Sequence, residues 1–115
     1  MFKQIALPQE TWGAAETALV TRKLNDRGQV SQISFKGNNA TNAITYELII
    51  YDPLGGVLYT QSGIVDATTT VYHATKDSED FHEFIVAPGC TYTLEPSGAP
   101  GVSTGIVDII LGMKE

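Results

Sequence analysis

Both histidines of the chain fall in one acidic stretch, residues 73–83. It reads His73-Ala74-Thr75-Lys76-Asp77-Ser78-Glu79-Asp80-Phe81-His82-Glu83 and adds four carboxylates to the two imidazoles. A hard cation such as calcium takes clustered carboxylate and carbonyl oxygens. Zinc would take the His nitrogens with a carboxylate in a tetrahedral site. Neither spacing fits: the segment has no glycine for the sharp turn of a calcium loop and no D-x-D-x-D-G pattern. Residues 77–83 are therefore expected to be a solvated loop, with no metal and no cofactor.

Hydrolytic chemistry needs a nucleophile beside a base, or two positioned carboxylates. Cys90 could be drawn against His73 or His82. It sits at the last corner of a tight turn, away from any helix N-terminus that would lower its pKa. A small core residue is the expectation for Cys90. Asp108 interrupts an apolar strand and is expected to face solvent, a subunit contact or an arginine such as Arg22. Gly55-Gly56 belongs to a hairpin turn and not to a phosphate-cradling loop. Tyrosines 46, 51, 59, 72 and 92 could stack on sugars, but on strands they read first as packing. No catalytic residue is expected, and the chain reads as a non-enzyme.

The elements that would position these residues are strands. In residues 44–51, Ile44, Tyr46, Leu48 and Ile50 share one face, and Thr45, Glu47, Ile49 and Tyr51 the other. Asp52-Pro53-Leu54-Gly55-Gly56 follows as a bulged hairpin turn in which Gly55 takes φ > 0, and residues 57–61 return. Residues 84–86, the turn Ala87-Pro88-Gly89-Cys90 and residues 91–95 read as a second hairpin around a type II turn. Residues 18–24 and 30–36 read as strands joined by Asn25-Asp26-Arg27-Gly28, and residues 64–72 as a weaker strand. Residues 105–113 are apolar on both faces apart from Asp108 and belong in the middle of a sheet. Seven or eight short strands without strand–helix alternation predict an all-β fold. The expectation is an antiparallel two-sheet β-sandwich, jelly-roll-like, with immunoglobulin-like topology as the alternative. Residues 1–15 are expected to form an extended N-terminal arm ordered by a partner, and residues 16–115 a single sandwich domain.

Composition narrows the classes. The 115 residues suit one domain. One cysteine excludes an internal disulfide framework. No apolar run approaches a membrane span of about 18 residues. Residues 1–12 lack the apolar region of a secretory signal. A net charge of −6 argues against general nucleic-acid binding. That charge is uneven: residues 1–36 hold five bases and three acids, residues 37–115 two bases and ten acids. The pattern suits docking through the N-terminal part.

The run from Ile44 to Thr60, and Val86-Ala87-Pro88-Gly89-Cys90-Thr91-Tyr92-Thr93-Leu94 with the closing residues 105–111, resemble small all-β virion proteins of tailed bacteriophages. These are proteins that decorate or cement the capsid. The likeness covers residues 16–113. It implies a viral structural protein assembled in the host cytoplasm and located on the capsid surface of the virion. It also implies a homo-oligomer, often a trimer, whose partner is the major capsid protein, without nucleic acid or membrane. On this reading Phe2, Ile5, Leu7 and Trp12 serve as apolar anchors, and Arg22, Lys23 and Arg27 as steering charges. The alternative is a carbohydrate- or receptor-binding module of a phage tail or fibre.

Overall fold

The computed structural model describes residues 2–38, 40–66, 69–74 and 82–114. Among the described residues ten strands form two sheets: β1 (Phe2–Ala6), β2 (Glu10–Trp12), β3 (Val20–Lys23), β4 (Gly28–Asn38), β5 (Thr45–Tyr51), β6 (Val57–Val65), β7 (Thr69–His73), β8 (Phe84–Val86), β9 (Thr91–Pro96) and β10 (Gly105–Lys114). Every strand pairing is antiparallel.

The first sheet runs β1-β10-β4-β7, with β2 also on β10 and β8 also on β4. The second runs β3-β9-β5-β6. β1 and β2 are two pieces of one strand, as are β7 and β8. Counted so, eight strands pair first with last and inward from there, which is the winding of a jelly roll. The strand order therefore favours the jelly roll over the immunoglobulin-like layout.

The core fills the space between the sheets. Val107, Ile109, Leu111 and Met113 of β10 point inward, while Asp108 and Ile110 point out. β10 lies between β1/β2 and β4, in the central place its apolar run requires. On β5, Tyr46, Leu48 and Ile50 are buried, the face expected from alternation. Aromatic contacts tie the sheets together. The Trp12 and Tyr46 ring centroids lie 5.7 Å apart, those of Phe35 and Tyr46 5.6 Å, and Tyr59 stacks on Phe84 at 5.6 Å.

Three expectations change. Residues 84–86 and 91–95 are not a hairpin: β8 lies in the first sheet and β9 in the second. Gly89 takes φ +107 in the turn between them. A type II turn splays its flanking strands where a primed turn would keep them paired, so the chain crosses between sheets there. The loop from Asn25 to Gly28 likewise carries β3 of the second sheet into β4 of the first. Residues 64–72 split: β6 runs on to Val65, and β7 starts at Thr69.

The third change concerns the arm. Residues 2–12 are the first strand of the sandwich. Phe2–Ala6 pairs with Lys114 back to Ile110, and Glu10–Trp12 with Val107 back to Gly105. β1 hides its strand character because it is an edge strand, exposed on one face and only half-covered on the other.

Candidate functional site

The described residues place two carboxylates inside the molecule, Glu10 and Asp66. A buried carboxylate is costly unless it is paired, so each defines a built polar site.

Glu10 stands on β2, at the edge of the first sheet. Arg22 stands on β3, at the edge of the second. The guanidinium donates to both carboxylate oxygens, Nε to Oε2 and Nη2 to Oε1, each at 2.8 Å. The pair thus bridges the open side of the sandwich with bidentate geometry. The hydrogen bond to Glu10, and then its charge, raise the Arg22 pKa. Tyr92 lies opposite Arg22 in the strand register. Its hydroxyl is buried with no partner. Burial first, and the Glu10 charge second, push its pKa up to about 12. One residue pair further along β2, the indole Nε1 of Trp12 donates to the Ala18 carbonyl at 2.8 Å. These groups form a latch that holds the first strand down.

Asp66 closes β6. It accepts a 2.9 Å hydrogen bond from the Tyr46 hydroxyl. Burial, then that bond, raise the Tyr46 pKa. Gly37 on β4 passes so close that a Cβ there would sit 2.7 Å from Asp66 Oδ1 and 2.9 Å from a Tyr46 ring carbon. Gly37 is glycine for that reason. Neither Glu10 nor Asp66 stood out in the sequence, because their burial comes from strands that meet across or between sheets.

The candidates from the sequence are scattered. Trp12 is 1% exposed and belongs to the core, so it offers no anchor surface. Ile5 and Leu7 pack half-buried against that core. Phe2 alone of the four apolar candidates is open, at 71%. Arg22 is held by Glu10, while Lys23 and Arg27 are exposed at one end of the sandwich. Cys90 is a buried free thiol. Tyr46, Tyr59 and Tyr92 are core residues, so they cannot serve as loop platforms for sugars. Asp108 faces outward and accepts from Gln9 Nε2 at 3.0 Å.

The cation question falls largely on residues 75–81, which lie outside the described residues. What surrounds them is clear. β7 and β8 pair with adjoining stretches of β4, so the acidic segment leaves and re-enters one strand position. Glu83 at its far end accepts from Lys114 Nζ at 2.9 Å. Among the described residues no group of three His, Cys, Asp or Glu side chains is placed to hold a metal.

A different surface emerges at the end where β3, β5 and β8 run out. Leu54 at the β5–β6 tip is 95% exposed, and Val57 beside it is 59% exposed. The tip is rigid. Asp52 Oδ1 accepts from the backbone N–H of Leu54 at 2.9 Å and of Gly56 at 2.7 Å. Gly55 takes φ +88 as the turn requires. Pro53 leans on Gly89 of the neighbouring turn. Lys23, Thr91, Tyr51 and Val57 form the last cross-strand row below it.

No family model and no curated protein matches the chain. Among solved structures it is similar to a disulfide-linked pilus of Bacillus endospore appendages, at 14% identity over 98% of this chain and 88% of the other, with a TM-score of 0.49. It is also similar to the T=1 particle derived from infectious bursal virus, at 9% identity, 97% and 32% coverage and a TM-score of 0.48. A third is the T13 particle of the same virus, at 10% identity, 98% and 31% coverage and a TM-score of 0.46. The chain spans about a third of the length of those viral chains. The all-β, two-sheet antiparallel sandwich rests on the strand pairings of this chain itself.

Proposed function

We propose that the chain is a structural protein of a virion, a decoration or cement protein that binds the major capsid protein. It would act by burying surface across joints between capsid subunits, in several copies on the capsid surface, after assembly in the host cytoplasm. Jelly rolls serve viral shells and lectins alike, so the fold leaves the class open and the surface must decide.

The observation that carries this reading is the β5–β6 tip. Single exposed leucines are common. Here Leu54 and Val57 stand together on a turn already fixed by Asp52, with the basic Lys23 at the end of the adjoining cross-strand row. A pre-ordered apolar knob loses little conformational freedom on docking, which favours a protein partner. The basic side chains fit the rim of such a contact. The resemblance of residues 16–113 to phage capsid-decorating proteins points the same way. The anchor role expected of Trp12 passes to Leu54 and Val57 in this reading.

Peptide mapping of purified virions from cultures that express the chain tests it. A fixed copy number in intact particles is expected. Accumulation in the lysate with none on the particles would overturn the reading.

A further inference from the structure

The outer face of the first sheet carries a trench that none of the foregoing uses. Strand register sets its floor and walls. Gln4, Gly112 and Gln32 form one cross-strand row over β1, β10 and β4. The row on one side holds Phe2 and Lys114, and the row on the other Ala6, Ile110 and Ser34. Gly112 contributes no side chain, so the middle row is sunken between its neighbours. The resulting cavity of about 400 Å³ is lined by Phe2, Lys3, Gln4, Ser31, Gln32, Gly112 and Met113. The register of β10 on β4 shifts between Gly112 and Met113. A Cβ at Gly112 would lie 3.1 Å from the Gln32 Cβ. The trench therefore exists because residue 112 is glycine.

Its chemistry is specific. Gln4 and Gln32 flank Gly112 in that row, their backbones roughly 10 Å apart over two strand spacings. Each offers a donor and an acceptor from a single planar group, the complement of adjacent hydroxyls on a ring. No described residue engages either carboxamide in a hydrogen bond. Phe2 stands at the rim with 71% of its surface open. Lys114 Nζ lies 5.7 Å from its ring centroid, and that ammonium is itself paired with Glu83. The trench thus joins an aromatic face to neutral donor–acceptor pairs, with Lys3 in its wall and the Lys114 ammonium above Phe2 compensated by Glu83. Lipid chains would meet a polar floor. An extended peptide would add along the free edge of β1, whereas the trench runs across β1, β10 and β4.

We propose that the trench binds a neutral saccharide, with one pyranose lying over Gly112, its C–H face on Phe2 and its hydroxyls on the carboxamides of Gln4 and Gln32. This site is separate from the β5–β6 tip and does not depend on the virion role.

The test is an NMR titration of the full ¹⁵N-labelled chain with maltohexaose, cellohexaose and chitohexaose in turn. At least one should give saturable shifts at the side-chain amides of Gln4 and Gln32 and the backbone of Gly112. Phe2→Ala and Gln32→Ala should each weaken binding by about tenfold, equivalent to about 1.4 kcal/mol. Their backbone spectra should stay otherwise unchanged, since both side chains point away from the core. Gly112→Ala should abolish binding, and the two outward-facing variants keep the test valid if it fails to fold. Three results would overturn the proposal: no saturable shift with any of the sugars, shifts centred elsewhere, or an affinity in Phe2→Ala and Gln32→Ala that matches the unchanged chain.

Discussion

Trp12 shows how one residue changes meaning with its surroundings. In sequence it lies outside any alternating run and reads as an exposed anchor. In the fold it is 1% exposed, packs on Tyr46 and donates to Ala18. Trp12→Ala is therefore expected to cost about 3–5 kcal/mol through the cavity it leaves. The melting temperature should fall by about ten degrees or more at this chain length. A change of a degree or two in differential scanning calorimetry would contradict that placement. Tyr92 carries the opposite expectation. Its hydroxyl is buried without a partner, a state that costs about 1–3 kcal/mol. Tyr92→Phe should raise the melting temperature at neutral pH. The sign with pH follows from the raised pKa. The folded chain holds this proton more tightly than the unfolded chain does, so the contribution is complete below the unfolded tyrosine value near 10. It is lost as pH rises from there through about 12. Tyr92→Phe should accordingly flatten the alkaline loss in urea melts recorded at pH values of about 8 to 11. A less stable variant at neutral pH would mean that the hydroxyl has a partner after all.

Elements differ in how much their own residues reveal. β5 was legible because alternation over its seven residues names a buried face, and β10 because a run apolar on both faces belongs in the middle of a sheet. Alternation does not name a partner. That is why β8 and β9 read as a hairpin although their turn sends them to different sheets. It also fails at edges. β1 exposes one face and half-covers the other, and β2 is three residues long, so neither shows a clean pattern. The same limit hid Glu10, whose burial depends on Arg22 of the other sheet. The revised status of residues 2–12 carries a prediction. An unsupported arm could be removed without harm. Deleting the first strand instead strips β10 of one neighbour, removes Trp12 from the core and frees Arg22 from Glu10. The truncated chain should lose its cooperative thermal transition and expose a long apolar edge prone to aggregation. A sharp transition near that of the full chain would show that the strand is dispensable.

Taken as a whole, the chain carries −6, yet two of its exposed cations, Lys23 and Arg27, flank Leu24, whose N–H donates to the Cys90 carbonyl in the turn beside Pro53 and Leu54. If the Leu54 turn docks, the two kinds of side chain should act on different rate constants. Rim charges steer encounter over a Debye length of about 8 Å at physiological ionic strength. Lys23→Ala with Arg27→Ala should slow association and flatten its salt dependence, leaving dissociation nearly unchanged. Apolar contacts that exclude water govern release. Leu54→Ala with Val57→Thr should speed dissociation, with little change in melting temperature, because both side chains are open in the isolated protein. Arg22→Ala serves as the contrast. Its guanidinium is committed to a buried carboxylate, so losing it leaves Glu10 uncompensated and should cost stability, while the salt dependence of docking stays as it was. Surface plasmon resonance on immobilised empty capsids, paired with thermal melts of each variant, separates the three. Unchanged dissociation in the Leu54 and Val57 variant would remove the tip from the interface. A salt dependence flattened by Arg22→Ala as much as by the Lys23 and Arg27 pair would move the docking surface to the latch edge.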